Sequence, residues 1–177
     1  MTAENATGRR GFMGAMVVLG SAAIAGILAV PGVGYVLDPI LRRTGSGSRG
    51  WRRVGDLASV PGDAPVAIPI IGELRDAWTR SPRQKLGTVY LRRKDDRTVL
   101  ALTAECPHLG CSIGFDRTRN RFQCPCHESA FDLEGRKLAG PSPRAMDELE
   151  SRVTADGKVE VRFVRYRTQK SDKVEMG

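Results

Sequence analysis

The chain has 177 residues, a formal net charge of +8 and a mean hydropathy of −0.28. That length allows one domain of ordinary size plus an appendage. Its cations are spread along the chain and aromatics make up only 6%, so no basic stripe interleaved with aromatics exists and a nucleic-acid partner is disfavoured. Residues 1–50 contribute +3 and residues 51–177 contribute +5. Such an excess suits an evenly solvated basic surface, anionic lipid headgroups or an acidic partner surface.

Residues 1–10 are polar and end in Arg9 and Arg10. The context Thr7-Gly8-Arg9-Arg10-Gly11-Phe12-Met13 resembles a twin-arginine export signal. Residues 11–37 carry no charge. The 19 residues 12–30 would span about 28 Å as a helix, close to the hydrocarbon thickness of a bilayer. A cleaved signal peptide is the rival reading, because Ala23-Ile24-Ala25 offers a small-x-small site. Apolar character continues past it through Leu28, Val33 and Leu37, which favours an uncleaved anchor over 11–37. Pro31-Gly32-Val33-Gly34 is expected to bend or end that helix. Residues 38–50 form the predicted tether. Its 44–50 stretch holds three Gly and two Ser, a flexible composition that an ordered surface loop could share.

From Trp51 onward the sequence reads as β-rich. Residues 66–71, 89–92 and 99–102 are short apolar or alternating runs, with Lys94-Asp95-Asp96-Arg97 as a turn. Residues 152–154 and 159–163 flank Asp156-Gly157, a hairpin signal, and Val159, Val161 and Phe163 alternate with charged residues. The stretch 74–85 has no clean period and is expected to be irregular. These elements predict one mainly β head, an antiparallel sandwich over 51–177.

All four cysteines and both histidines fall within residues 106–131. A first box reads CPHLGC, with Cys106 and His108 as a ligand pair and Cys111 spare. A second reads CPCH, with Cys124 and His127 as a pair and Cys126 spare. Thiolates and imidazoles both suit iron, and Pro107 and Gly110 suit a tight turn. Structural zinc is the alternative, but it leaves two cysteines unexplained and the spacings are unlike its usual pairs. Between the boxes, residues 116–120 read as the turn of a hairpin whose strands are 112–115 and 121–123.

The two boxes resemble the Rieske iron–sulfur signature. The resemblance implies one 2Fe–2S cluster, two thiolates on one iron (Cys106, Cys124) and two imidazoles on the other (His108, His127), in a cluster-binding part spanning about 103–145. It also implies a disulfide between Cys111 and Cys126. Gly140-Pro141-Ser142-Pro143-Arg144 resembles the segment that covers the cluster in quinol-oxidising members. Leu109, Gly110, Ser129, Phe131 and Pro141 would surround the site. Anchor, tether and β head together resemble the Rieske subunit of cytochrome bc and bf complexes. There, His108 and His127 would meet a quinol at a cytochrome b-type subunit, and the electron would pass to a c-type cytochrome. The alternative is the small Rieske subunit of an exported molybdenum enzyme such as arsenite oxidase.

Two positions depart from that pattern. Glu128 stands where Gly is common, and Phe131 where many members have Tyr. A missing hydroxyl and an added carboxylate should lower the potential, which suits menaquinol. Loop charge is heavier after the anchor (Arg42, Arg43, Arg49, Arg52, Arg53) than before it, which by itself would put the head in the cytoplasm. The export signal and the implied disulfide argue instead for a head on the exported side of the membrane.

Overall fold

In a computed structural model that describes residues 4–41, 50–75 and 79–176, the 38 residues Glu4–Leu41 form a single helix, α1. Within α1, residues Gly8–Asp38 have a mean hydropathy of 2.2, long and apolar enough to cross a membrane. The helix continues through Pro31, so of the expected bend or end the end does not occur. A proline removes only its own N–H, and uncharged flanks leave the helical backbone as the best home for the remaining polar groups. The 42–49 part of the tether lies outside the described residues. Helix and head are separate units.

The described residues of the head form three antiparallel sheets. In the first, β1 (Trp51–Asp56), β10 (Lys158–Arg162) and β9 (Ser151–Val153) lie in the order β1-β10-β9. The second has β2 (Val66–Arg75), β3 (Arg80–Arg93) and β4 (Val99–Thr103) side by side. The third runs β5 (Gly114–Asp116), β6 (Arg121–Gln123), β7 (Ala130–Phe131) and β8 (Lys137–Ala139).

The middle sheet is a shared wall. Every residue of β4 is buried, and its side chains alternate between two cores. Val99 and Ala101 join Val89, Leu91, Val159 and Val161 in the core shared with the first sheet. Leu100 and Leu102 join Tyr90, Phe122, Phe131 and Met146 in the core shared with the third. Strand periodicity accounts for this, since successive side chains point to opposite faces. It also explains why 99–102 reads as a continuous apolar run. Phe122 and Phe131 are fully buried, each contributing about 1.5–3 kcal/mol of apolar burial. Cys106 and Cys124 belong to the same second core, so the site is built onto packed side chains.

The hairpin expected around Asp156-Gly157 is present as β9 and β10, with Gly157 at φ +74°. Of the stretch expected to be irregular, the described residues on its two sides are strand: β2 continues to Arg75, and β3 begins at Arg80; residues 76–78 lie outside the described residues. The β2–β3 register slips between Ile70 and Ile71 and again between Gly72 and Leu74. Ile71, Leu74, Arg83 and Gln84 are all exposed. Hydrophobic alternation comes from burial of one face, and an arm wet on both sides has none to reveal.

Candidate metal centre

Two loops carry the candidate ligands. Loop 1, residues 104–113, joins β4 to β5. Loop 2, residues 124–129, joins β6 to β7. Loop 1 closes on itself: the Gly110 N–H donates to the Cys106 carbonyl at 2.8 Å, and the Cys106 N–H to the Cys111 carbonyl at 2.9 Å. Gly110 sits at φ +76°, a left-handed conformation that favours glycine. Loop 2 closes through the Cys124 N–H and the Ser129 carbonyl, 2.8 Å apart. Its Glu128 adopts φ +58° without being glycine, a strain of about 1–2 kcal/mol.

Cys111 and Cys126 form a disulfide that ties loop 1 to loop 2, with a Cα–Cα distance of 6.5 Å. Cys106 and Cys124 remain free thiols, 1% and 2% exposed. The Cys124 sulfur lies within 4.8 Å of both disulfide sulfurs, so proximity alone would group the wrong cysteines; bonding removes Cys111 and Cys126 as ligands. The His108 and His127 rings meet at 4.8 Å between centroids, at 84°. His127 is exposed and His108 half-buried. His108 Nδ1 is buried and has no hydrogen-bond partner among the described residues.

These features fit an iron–sulfur cluster. A buried, unbonded ring nitrogen is an unfavourable arrangement unless something ligates it. Burial pushes the Cys106 thiol up, while the His108 N–H and the Ser129 hydroxyl pull the other way. A metal's charge would favour the thiolate at such a place. Two buried thiols and two adjacent imidazoles match the mixed ligand set of a Rieske centre and leave no cysteine unassigned.

The cover segment packs directly on loop 2. Gly140 has φ +88°, and a Cβ there would come within 2.4 Å of Ser129 Cα. The Ser142 N–H donates to Ser129 Oγ at 3.1 Å, and both serines are fully buried. Ser142 Oγ donates to the Arg144 carbonyl. Arg144 forms a two-pronged pair with buried Asp147, at 2.8 and 2.7 Å. Leu109 and Pro141 are exposed. Phe131 is fully buried in the core that holds both free cysteines. Sequence reasoning brought all these residues to one place but missed the Ser129–Ser142 and Arg144–Asp147 contacts. A Gly-Pro-Ser-Pro-Arg pattern flags a rigid segment without saying what it touches.

A model of the Rieske [2Fe-2S] domain matches residues 50–154. The menaquinol:cytochrome c reductase iron–sulfur subunit of Geobacillus thermodenitrificans is 32% identical, over 76% of this chain and 78% of its own. The cytochrome b6-f complex iron–sulfur subunit of Microcystis aeruginosa is 28% identical, over 86% and 83%. Among solved structures, the cyanobacterial plasma membrane Rieske protein of Synechocystis PCC 6803 aligns with a TM-score of 0.45 and 21% identity, covering 62% of this chain and 97% of that one. This chain belongs to the Rieske 2Fe–2S proteins, in the group of cytochrome bc- and bf-type iron–sulfur subunits.

Phe131 supplies one prediction. Phe131→Tyr adds a hydroxyl within the core that holds the two free cysteines. A donor to a ligand sulfur raises the reduction potential, here by tens of millivolts as an order of magnitude, measured by redox titration. No change, or a fall, would show that the ring edge points away from the site.

Proposed function

We propose that this chain is the mobile electron carrier of a membrane complex that oxidises a quinol, menaquinol by preference, and reduces a c-type cytochrome. Cys106 and Cys124 would hold one iron, and His108, through its unpartnered Nδ1, and His127 would hold the other. The bound cluster supplies a one-electron acceptor whose potential is raised by its imidazole ligands. The remaining work falls to the chain's own residues. His108 and His127 present their outward nitrogens to a quinol hydroxyl, accept its hydrogen bond and take its proton. They release that proton to solvent when the electron moves on, so one electron and one proton leave the quinol at each passage. Leu109 and Pro141 form an apolar rim that keeps water from the contact. The observation that carries this reading is the pair of imidazoles, one exposed and one half-buried, meeting at 4.8 Å from two loops that each also carry a buried free thiol.

In this proposal α1 is a single-pass anchor. A twin-arginine-type signal sends the head to the exported side, where a disulfide between Cys111 and Cys126 persists. Partners are a cytochrome b-type subunit, a c-type cytochrome, quinol and membrane lipid. The test is capture of the tagged full chain from its native membrane. Co-elution of b-type haem with quinol:cytochrome c activity is the expected result. Co-elution of a molybdopterin subunit instead would overturn it in favour of an exported molybdenum enzyme.

The tether gives a second prediction. A Gly-Ser-Gly-Ser composition is compatible with many backbone states, and a run of prolines is not. Replacing Gly45-Ser46-Gly47-Ser48 by four prolines should slow quinol-to-cytochrome electron transfer while leaving spectrum and potential unchanged, in membranes with equal amounts of assembled subunit. Equal turnover would mean that the head stays docked or swings about another hinge.

A further inference from the structure

The chain continues past the part matched by the family model, and its end returns to the metal centre. Val164 and Tyr166 are buried in the first core and fix the start of the segment. From there the chain doubles back: the Arg167 N–H donates to the Val174 carbonyl and the Met176 N–H to the Arg165 carbonyl, with a bridge between Tyr166 and Glu175. The result is a small hairpin over residues 165–176.

The hairpin touches loop 1 and Arg144 of the segment that packs on loop 2. The Gln169 N–H donates to the Pro107 carbonyl at 2.8 Å, and Pro107 lies between Cys106 and His108. Gln169 adopts φ +59° to do so. The Thr168 methyl lies 3.8 Å from where a side chain on Gly110 would begin. The Arg165 guanidinium holds both Glu105 oxygens, at 3.0 and 2.9 Å, one residue before Cys106. Arg144 extends its third nitrogen to the Lys170 carbonyl at 2.6 Å. The Arg144 carbonyl in turn accepts from the Ser142 hydroxyl, and the Ser142 N–H donates to Ser129 in loop 2. A path of four hydrogen bonds, linked through the covalent chain, therefore joins loop 2 to loop 1 through the hairpin: Ser129, Ser142, Arg144, Lys170, Gln169, Pro107.

We propose that the C-terminal hairpin is a second, non-covalent clasp that joins the two ligand loops by a path independent of the disulfide, and so positions His108 at the cluster. The proposal rests on Cys106 and His108 being cluster ligands. The disulfide links Cys111 to Cys126, and the clasp links Pro107 to Ser129. Loop 1 is thereby held on either side of Leu109, the exposed residue next to His108. A loop held at one point can pivot; a loop held at two cannot without breaking one of them.

Two variants of the full chain test this. Stopping after Arg167 removes the donor to Pro107 and the acceptor for Arg144. Arg144→Lys keeps the charge opposite Asp147 but loses the fork that reaches Lys170. Both should release the cluster to a chelator roughly tenfold faster than the parent chain, the scale expected from losing hydrogen bonds at loop carbonyls. Both should also shift the reduction potential, which loss of general stability does not do. Amide exchange at Val89 and Val161 should stay slow, showing that the first core is intact. Combined with Cys111→Ser, either variant should accelerate loss by more than the product of the separate effects, because the two ties restrain the same loops. An unchanged potential and release rate in both variants would overturn the clasp. So would strictly multiplicative effects with the disulfide variant. A parent chain without a Rieske spectrum would instead overturn the ligand assignment, which keeps the two failures distinct.

Discussion

Gly140→Ala should strip the cluster from most of the purified chain. A Cβ at this position would stand 2.4 Å from Ser129 Cα, 2.7 Å from Ser129 N and 2.9 Å from Ser129 Oγ. Two of those atoms are backbone, held by β7 and by the Cys124–Ser129 hydrogen bond, and cannot turn aside. The cover segment must therefore lift, which breaks the Ser142–Ser129 hydrogen bond at a buried site, a loss of about 1–3 kcal/mol. The left-handed backbone adds about 1–2 kcal/mol of strain for any residue with a Cβ. Iron and sulfide per chain, with the visible spectrum, are the measurements. Gly157→Ala is the control: φ is +74° there, but nothing lies within 4 Å, so only the strain remains. Full cluster content in Gly140→Ala would show that the cover segment does not bear on loop 2.

Cys111→Ser should have an effect of similar size by another route. The disulfide closes a separation of 15 residues, and cross-links of that span are associated with about 3 kcal/mol. Without it, loop 1 and loop 2 keep their shared core and the proposed C-terminal path but lose their covalent tie. The variant should assemble the cluster poorly and lose it readily to a chelator. The sulfur left on Cys126 would also lie near the free Cys124 thiol, opening a route to mispairing. Full cluster content and an unchanged potential would show that the disulfide carries no part of the site's rigidity.

Whatever chemistry restricts to particular residue types was legible in the sequence. Cys106, His108, Cys124 and His127 stood out because few other side chains ligate iron; the structure buries the two thiols in one core and sets the two imidazole rings 4.8 Å apart. The Cys111–Cys126 pairing, implied by resemblance, is present. The β9–β10 hairpin was visible because Asp156-Gly157 marks its turn and Val159 and Val161 bury one face. The outer arm of β2 and β3 was not, because neither face is buried and main-chain pairing leaves no side-chain signature. The same holds for the clasp. Gln169 acts on Pro107 through its backbone N–H, and Lys170 accepts from Arg144 through its carbonyl, so their side chains announce nothing. Pro31 misled in the opposite direction: a residue that breaks helices in water sits inside an apolar segment that has no better conformation.

Ligation of the cluster by two histidines is the point on which the proposed chemistry depends. Label the full-length protein with nitrogen-15 histidine and measure nitrogen hyperfine couplings in the reduced state by pulsed electron paramagnetic resonance. The sequence contains only His108 and His127, so the signal has no other source. Two strong histidine couplings are the expected result, with cluster ligation lost in His108→Ala and in His127→Ala. A paramagnetic cluster without histidine coupling, or a stable metal site with no paramagnetic state, would contradict the account.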